Sequence, residues 1–384
     1  MNKNDKIAVL TWNIGEHPES KLLAFDSLFT ELDTQKPKFF FICLQECSYT
    51  QTLNKLINKL KNNNYHYVNT KRKMSLPGTN FSIFIIFFIR NQEKNEKYTM
   101  SCKTDKLPYT CGKNLNKRIT KHLQLYDIML GDKILFHIGN IHSKFGNTQK
   151  IINSLIKVND YIDNRNLQEP IILAGDINSR SIEDNCMQKN VLPCSSLLSN
   201  LYCQINGLLV NDLFELYNNN LKIKYKNSIP KECVKEINNN IQIQNGGGIN
   251  YKNLIQNLVN KDFLNYILSK KLLLNGFKEH KIDFPPTYKI YPNKLGESNY
   301  KYIQSKGKHG RLTGYPDRII YKNTNSTNKI RPYLYKTFPM FGNDHLPVLC
   351  IFDILGVAGG SKSKLSITKS HNRKSHNRKS RNRK

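Results

Sequence analysis

The chain has 384 residues, 39% of them hydrophobic, and its 59 Lys/Arg against 29 Asp/Glu give a formal charge of +30. That is enough apolar chain for a sizeable core, and no apolar run reaches the roughly 20 residues of a membrane-spanning helix, the longest being Phe81 to Ile89. Nine cysteines without C-x-x-C spacing argue against a disulfide framework or a zinc site. Met1 to Lys6 lacks the apolar stretch of a secretory signal, so a reduced, intracellular, cytoplasmic protein is expected.

The charge is unevenly placed. Ten Lys/Arg and no acidic residue lie between Ser361 and Lys384, which leaves +20 for residues 1–360. The end is a five-residue repeat: Ser370 to Lys374 recurs as Ser375 to Lys379 and, varied, as Ser380 to Lys384. With no apolar face to bury, residues 359–384 are expected to form a disordered basic tail after the Gly359-Gly360 hinge. Such a tail suits an anionic membrane surface or a nucleic acid, and the charge of the body also points to a phosphate-bearing partner.

In chain order, Ile7 to Gly15 reads as an apolar strand ending in a turn, with Asn13 at its mouth. Apolar positions from Leu22 to Leu32 predict a helix over residues 20–32. Pro37 separates it from a second apolar strand, beginning at Phe39, that delivers Glu46 to its end. Oxygen ligands at two strand ends are what a hard cation such as Mg2+ takes. A helix over residues 53–60, a strand over 65–68 and a fully buried strand over 81–90 follow. Residues 91–121 are polar and lysine-rich and read as a loop or irregular hairpin.

Gly131-Asp132 then separates two alternating runs and predicts a β-hairpin. Its far end carries Asn140 and His142, two apart and hence on one face. An amphipathic helix is expected over residues 149–162. In Ile171 to Arg180, four apolar residues run into Gly175, after which Asp176, Asn178 and Arg180 alternate. If the pleat persists, a carboxylate that takes a proton from water, an amide donor and a phosphate-binding guanidinium share one face. An Asx-type turn with a surface ion pair accounts for the same residues.

Six short motifs follow one another at predicted strand ends. They are Thr11-Trp12-Asn13, Leu44-Gln45-Glu46, Asn140-Ile141-His142-Ser143, Gly175-Asp176-Ile177-Asn178, Asp317-Arg318-Ile319 and Asp344-His345-Leu346-Pro347-Val348. On these residues the chain resembles the metal-dependent endonuclease/exonuclease/phosphatase superfamily, which includes deoxyribonuclease-like enzymes and inositol polyphosphate 5-phosphatases. The resemblance covers Ile7 to Phe352 and implies an α/β fold, a two-sheet β-sandwich flanked by helices in four layers, with the site where loops gather at one edge. The expected organisation is a catalytic domain over residues 1–358, with a helical insertion at about 181–283, and the basic tail. Within the insertion, apolar spacing from Leu254 to Leu274 is compatible with helix.

Gly276 to Lys289 is similar to the stretch that forms the Pro-Thr-Tyr-Lys motif of inositol polyphosphate 5-phosphatases, and Gly310 to Ile320 resembles their Gly-Arg…Asp-Arg-Ile-Leu element. Three positions depart from that pattern: the Gly112 to Arg118 stretch, Ser179 where an aromatic is usual, and Tyr315-Pro316.

The resemblance implies Mg2+ held by Glu46, with Asn13 nearby and Asp344 as a further ligand. Asp176 would deprotonate the attacking water, Asn178 and His142 would donate to phosphoryl oxygens, and Asp317 would pair with His345. Tyr288, Lys289, Arg311 and Asn140 would contact substrate. The implied reaction is in-line hydrolysis of a phosphoinositide or inositol phosphate. A Mg2+-dependent nuclease is the alternative, favoured by the basic charge, and a binding module without catalysis is a third reading. The full set of catalytic residue types speaks against the third.

Overall fold

The computed structural model describes residues 5–15, 26–47, 57–58, 60–61, 63–68, 82–101, 123–143, 148–179, 222–223, 249–260, 262–292, 300–302, 314–338 and 344–356. The basic tail and most of residues 181–248 lie outside the described residues.

The strands, in chain order, begin with β1 (Lys6–Asn13), β2 (Phe39–Cys47), β3 (Tyr65–Tyr67), β4 (Ser82–Arg90), β5 (Tyr98–Ser101), β6 (Leu123–Leu130), β7 (Lys133–His142) and β8 (Ile171–Asp176). They continue with β9 (Lys222–Ile223), β10 (Ile249–Asn250), β11 (Lys278–Glu279), β12 (Ile290–Pro292), β13 (Tyr300–Tyr302), β14 (Asp317–Lys322), β15 (Asn328–Thr337) and β16 (Val348–Gly356). The helices are α1 (Asp26–Gln35), α2 (Thr148–Asp163), α3 (Tyr251–Asn260) and α4 (Phe263–Ser269).

Twelve of these strands form two six-stranded sheets, ordered β15-β16-β1-β2-β4-β3 and β11-β14-β8-β7-β6-β5. Each sheet is antiparallel except for one pair. β1 and β2 run parallel, with α1 between them in sequence, and β7 and β8 run parallel, with α2 between them. A parallel pair needs such a crossover, and it brings the carboxyl ends of both strands to the same edge. The antiparallel partners β14 and β16 start where β8 and β1 end, because Asp317 pairs with Asp176 and Val348 with Thr11. Six chain segments therefore meet at one edge of the sandwich.

Strand alternation decides what fills the space between the sheets. Ile7 and Val9 of β1, Phe39 and Phe41 of β2, Phe136 and Ile138 of β7, and Ile172 and Ala174 of β8 form one buried cluster. Phe41 stacks on Phe87 with ring centres 4.5 Å apart, and Phe136 meets Phe39 and Phe41 edge-on. Each such pair contributes about 0.5–1.5 kcal/mol beyond its buried area. The opposite faces are covered by helices: Leu28, Phe29 and Leu32 of α1 on one sheet, Ile151, Leu155 and Ile162 of α2 on the other.

Several expectations need adjusting. The polar stretch after Arg90 supplies β5, an edge strand paired with β6, where a loop or irregular hairpin was expected. The strand alternates, with Tyr98 and Met100 buried in the core and Thr99 and Ser101 half-buried. The helix expected across residues 254–274 is two helices, because Asp262 leaves helical geometry to cap α4, accepting from Asn265 N at 3.0 Å. Ile255, Leu258 and Val259 of α3 join the large core cluster, and Lys278–Glu279 pairs with β14 as part of the sheet itself. Pro332 is tolerated in β15 because that strand is an edge and carries a bulge between Pro332 and Leu334.

Candidate active site

The same alternation that packs the core also builds the site. Following Ile7 and Val9 on the inner face of β1 come Thr11 and Asn13; following Phe136 and Ile138 on β7 come Asn140 and His142; after Ile172 and Ala174 on β8 comes Asp176. At the gathered edge the inner face turns from apolar to polar on both sheets at once. The result is a seam of hydrogen bonds between sheets.

Asn13 Nδ2 on one sheet donates to Asp176 Oδ2 on the other at 3.0 Å. Gln45 Nε2 donates to Asn140 Oδ1 at 2.7 Å, and Asn140 Nδ2 returns a bond to the Leu44 carbonyl at 2.9 Å. His142 Nε2 stands 3.3 Å from Glu46 Oε1 and 3.5 Å from Asp176 Oδ2. Glu46 reaches this point through a bulge: the β2–β4 register shifts between Leu44 and Cys47, and Glu46 has φ +52°. A non-glycine residue held there costs on the order of 1–3 kcal/mol, the kind of strain that accumulates at functional sites. Its carboxylate is a third exposed, whereas His142 and Asp176 are buried.

Gly175 is required by the packing. Its φ is +152°, and a Cβ there would lie 1.9 Å from the Ile141 carbonyl oxygen. That close approach of β8 to β7 seats Asp176 beside His142. Past the strand, Asp176 Oδ1 accepts from the backbone N of Asn178 at 2.9 Å, and Asn178 Nδ2 donates to the Ser143 carbonyl at 2.9 Å.

The other half of the site comes from β14 and the start of β16. His345 Nδ1 lies 2.8 Å from Asp317 Oδ2, and Thr287 Oγ1 donates to that same oxygen at 2.7 Å. Trp12 Nε1 donates to the His345 carbonyl at 3.1 Å and fixes its backbone. Burial disfavours a charged His345, but the Asp317 carboxylate, helped by Asp176 and Asp344, more than offsets this and lifts its pKa to about 9. Burial also raises the pKa of Asp317, with His345 opposing and Asp176 adding to the rise. The pair holds its proton firmly. Asp317 Oδ1 and Ser143 Oγ are buried without a hydrogen-bond partner among the described residues, as expected where a site awaits a ligand or water.

Residues 287–290 are threaded between two other segments: Thr287 N donates to the Gly314 carbonyl, Leu346 N to the Thr287 carbonyl, and Ile290 N to the Asp344 carbonyl. Lys289 is thereby brought to the mouth, with Nζ 3.9 Å from Asp344 Oδ2.

The structure thus gathers Asn13, Glu46, His142, Asp176, Asn178, Asp317, Lys289, Asp344 and His345. Two expected substrate contacts are completely buried. Asn140 is completely buried and its amide is engaged by Gln45 and the Leu44 carbonyl, so it braces the seam. Tyr288 is also completely buried, its ring 4.6 Å from that of His345, and packs behind the site. Arg311 and Arg180 lie outside the described residues. Gln45, Thr287, Asp262 and Glu279 belong to the site's support and escaped the sequence reading. Gln45, Thr287 and Glu279 lie inside stretches the resemblance had singled out, whereas nothing local marked Asp262.

Among the described residues no group of three or more His, Cys, Asp or Glu side chains converges as a metal cage. The donor chemistry nevertheless suits a hard cation: Mg2+ is commonly held by one or two carboxylates, with water and substrate phosphate completing its shell. Glu46, at the mouth and partly exposed, fits that role.

Residues 231–351 match the family model described as endonuclease/exonuclease/phosphatase family 2. Over 115 residues the chain is 30% identical to a polyphosphatidylinositol phosphatase of Saccharomyces cerevisiae. That alignment covers 30% of this chain and 9% of the relative, so the chain spans less than a tenth of the curated relative it matches. Among solved structures it is similar to the inositol polyphosphate 5-phosphatase domain of SPsynaptojanin in complex with inositol (1,4)-bisphosphate and calcium, at 15% identity and a TM-score of 0.52, covering 91% of this chain and 84% of that one. A Cimex nitrophorin in its ferrous NO complex is as similar in shape, at 14% identity and a TM-score of 0.52, covering 92% of this chain and 100% of that one. One fold serves unlike functions, so these structures speak to fold alone. By its architecture the chain has the fold of the endonuclease/exonuclease/phosphatase superfamily, and in sequence it is similar to that superfamily's inositol phosphatases.

Proposed function

We propose that the protein is a Mg2+-dependent phosphoester hydrolase that removes the 5-phosphate from phosphoinositides or inositol polyphosphates. The observation that carries this reading is the closing of Asn13, Glu46, His142 and Asp176 across the seam beside the Asp317–His345 pair. The partial sequence match to a polyphosphatidylinositol phosphatase supports the substrate class.

In this reading Glu46, with Asp344 as a further ligand, would hold a divalent cation, which would supply Lewis-acid stabilisation of phosphoryl charge. Asp176, oriented by Asn13 and the Asn178 backbone N–H, accepts the proton of the attacking water. His142 and Asn178 donate to the phosphoryl oxygens. Protonated His345, held by Asp317, adds positive charge where negative charge develops. Lys289 binds a phosphate next to the one cleaved, exchanging its contact with Asp344 for the ligand. The catalytic domain spans residues 1–358 of an intracellular protein, and the basic tail is an electrostatic tether to an anionic surface.

The test is phosphate release from a panel of phosphoinositides, soluble inositol phosphates and DNA, with and without Mg2+. Release from inositol substrates bearing a 5-phosphate is expected. Robust DNA cleavage without release from any inositol substrate would overturn the substrate assignment and favour the nuclease reading, which the +30 charge already suits.

A further inference from the structure

Behind the second sheet, on the face away from the seam, one carboxylate holds two strand ends. Asp262 Oδ1 accepts from Arg318 Nη1 at 2.6 Å and from Asn265 N at 3.0 Å. Asp262 Oδ2 accepts from Ser179 Oγ at 2.8 Å, while Ser179 Oγ itself accepts from Leu264 N at 2.9 Å. Asp262, Ser179 and Arg318 are all buried. Ser179 directly follows Asn178, and Arg318 directly follows Asp317. Strand alternation explains the arrangement: Asp317 faces the seam, so Arg318 must face the opposite side, where α4 lies.

A helix cap needs only one of these bonds. Arg318 is already gripped on its other edge by Glu279, through Nε at 2.7 Å and through Nη2. The added bonds from Arg318 and Ser179 therefore do something a cap does not. They tie the segment carrying Asp176 and Asn178, and the strand carrying Asp317, to a single rigid point. Asp176 and Asp317 are cross-strand partners, and their strand ends are joined by the backbone ladder, with Ile177 N donating to the Pro316 carbonyl at 2.8 Å, and by the Asp262 bonds from behind.

We propose that Asp262 and Ser179 are positioning residues that set the relative placement of Asp176, Asn178 and Asp317 from behind the sheet, making α4 and its cap a working part of the active site. The proposal rests on the catalytic roles assigned above. The segment from α3 to Phe277 then has a reason to be embedded in the core.

The experiment compares Ser179→Ala, Ser179→Thr and Asp262→Asn in the full chain. It follows kcat and KM for phosphate release from a soluble inositol polyphosphate, thermal midpoint, and amide hydrogen exchange. Ser179→Ala is expected to lower kcat roughly tenfold with KM within about twofold, and Asp262→Asn to lower it up to about a hundredfold, as misplacements near 1 Å do. Ser179→Thr, which keeps the hydroxyl, should restore most of the loss. Exchange should quicken at residues 176–179 and 317–318 in Ser179→Ala while the thermal midpoint stays near that of the unaltered chain. Unchanged kcat and unchanged exchange in Ser179→Ala overturn the proposal, even where Asp262→Asn does not fold. Absence of phosphate release from every substrate by the unaltered chain overturns the functional reading instead, and the exchange comparison then decides the positioning on its own.

Discussion

Asp317 stands opposite Asp176 in the antiparallel pairing of β14 with β8, so two carboxylates from distant parts of the chain are cross-strand neighbours in a buried seam. Like charges so placed resist simultaneous ionisation. The structure divides their duties by partner: Asp317 is hydrogen-bonded to His345 and Thr287, while Asp176 takes Asn13 and the Asn178 backbone. One is tied to a protonated imidazole, and in the proposed reading the other accepts a proton.

Asp176→Asn keeps the shape and removes the proton-accepting oxygen. Turnover should fall by roughly 10² or more with little change in KM. Steady-state kinetics on the best substrate of the panel checks this, and a large rise in KM alone would assign Asp176 to binding.

Asp317→Ala and His345→Ala should be strongly non-additive, because each removal leaves the other without its partner. A double-mutant cycle in kcat measures the coupling, and losses that simply add would separate the two residues.

The same pair predicts a pH dependence of stability. His345 has its pKa raised from 6.5 to about 9, so its contribution is complete below about 6.5 and is lost as pH rises through about 9. Asp317, also raised, has the same sign, since the folded state again binds more protons than the unfolded. With metal chelated, the thermal midpoint should decline between about pH 7 and pH 10, and Asp317→Asn should flatten that decline. An equally steep decline in the variant would place the titration elsewhere.

Activity should vanish with excess chelator and return with Mg2+, and Glu46→Gln should raise the Mg2+ concentration needed for half-maximal rate. Full activity in chelator would remove the metal from the reaction.

Gly175→Ala should destabilise the fold by roughly 2–3 kcal/mol or more, because its Cβ meets the Ile141 backbone, which has no room to move within the sheet. Gly139→Ala should cost less, since the nearest atom there is the flexible end of Leu173. Denaturant melts of the two variants test the order.

Much of this molecule was legible in its sequence. Apolar runs marked β1, β2, β4 and β8, the Gly131-Asp132 pair marked the β6–β7 hairpin, polar residues at strand ends marked Asn13, Glu46, His142 and Asp176, and the family resemblance added Asp317 and His345. These features are local: the period of two and the abrupt end of an apolar run are written in neighbouring residues. Tertiary structure alone decided the rest, because strand pairing is non-local. The two parallel pairings bring strand ends from both sheets to one edge, the β2 bulge aims Glu46, and the threading of residues 287–290 packs Tyr288 against His345 and sets Lys289 beside Asp344. Asn140 is tied into the seam by Gln45 and the Leu44 carbonyl, and Asp262 looked like one more residue in a helical stretch. Each took its role from a partner far away in sequence, which no local pattern encodes.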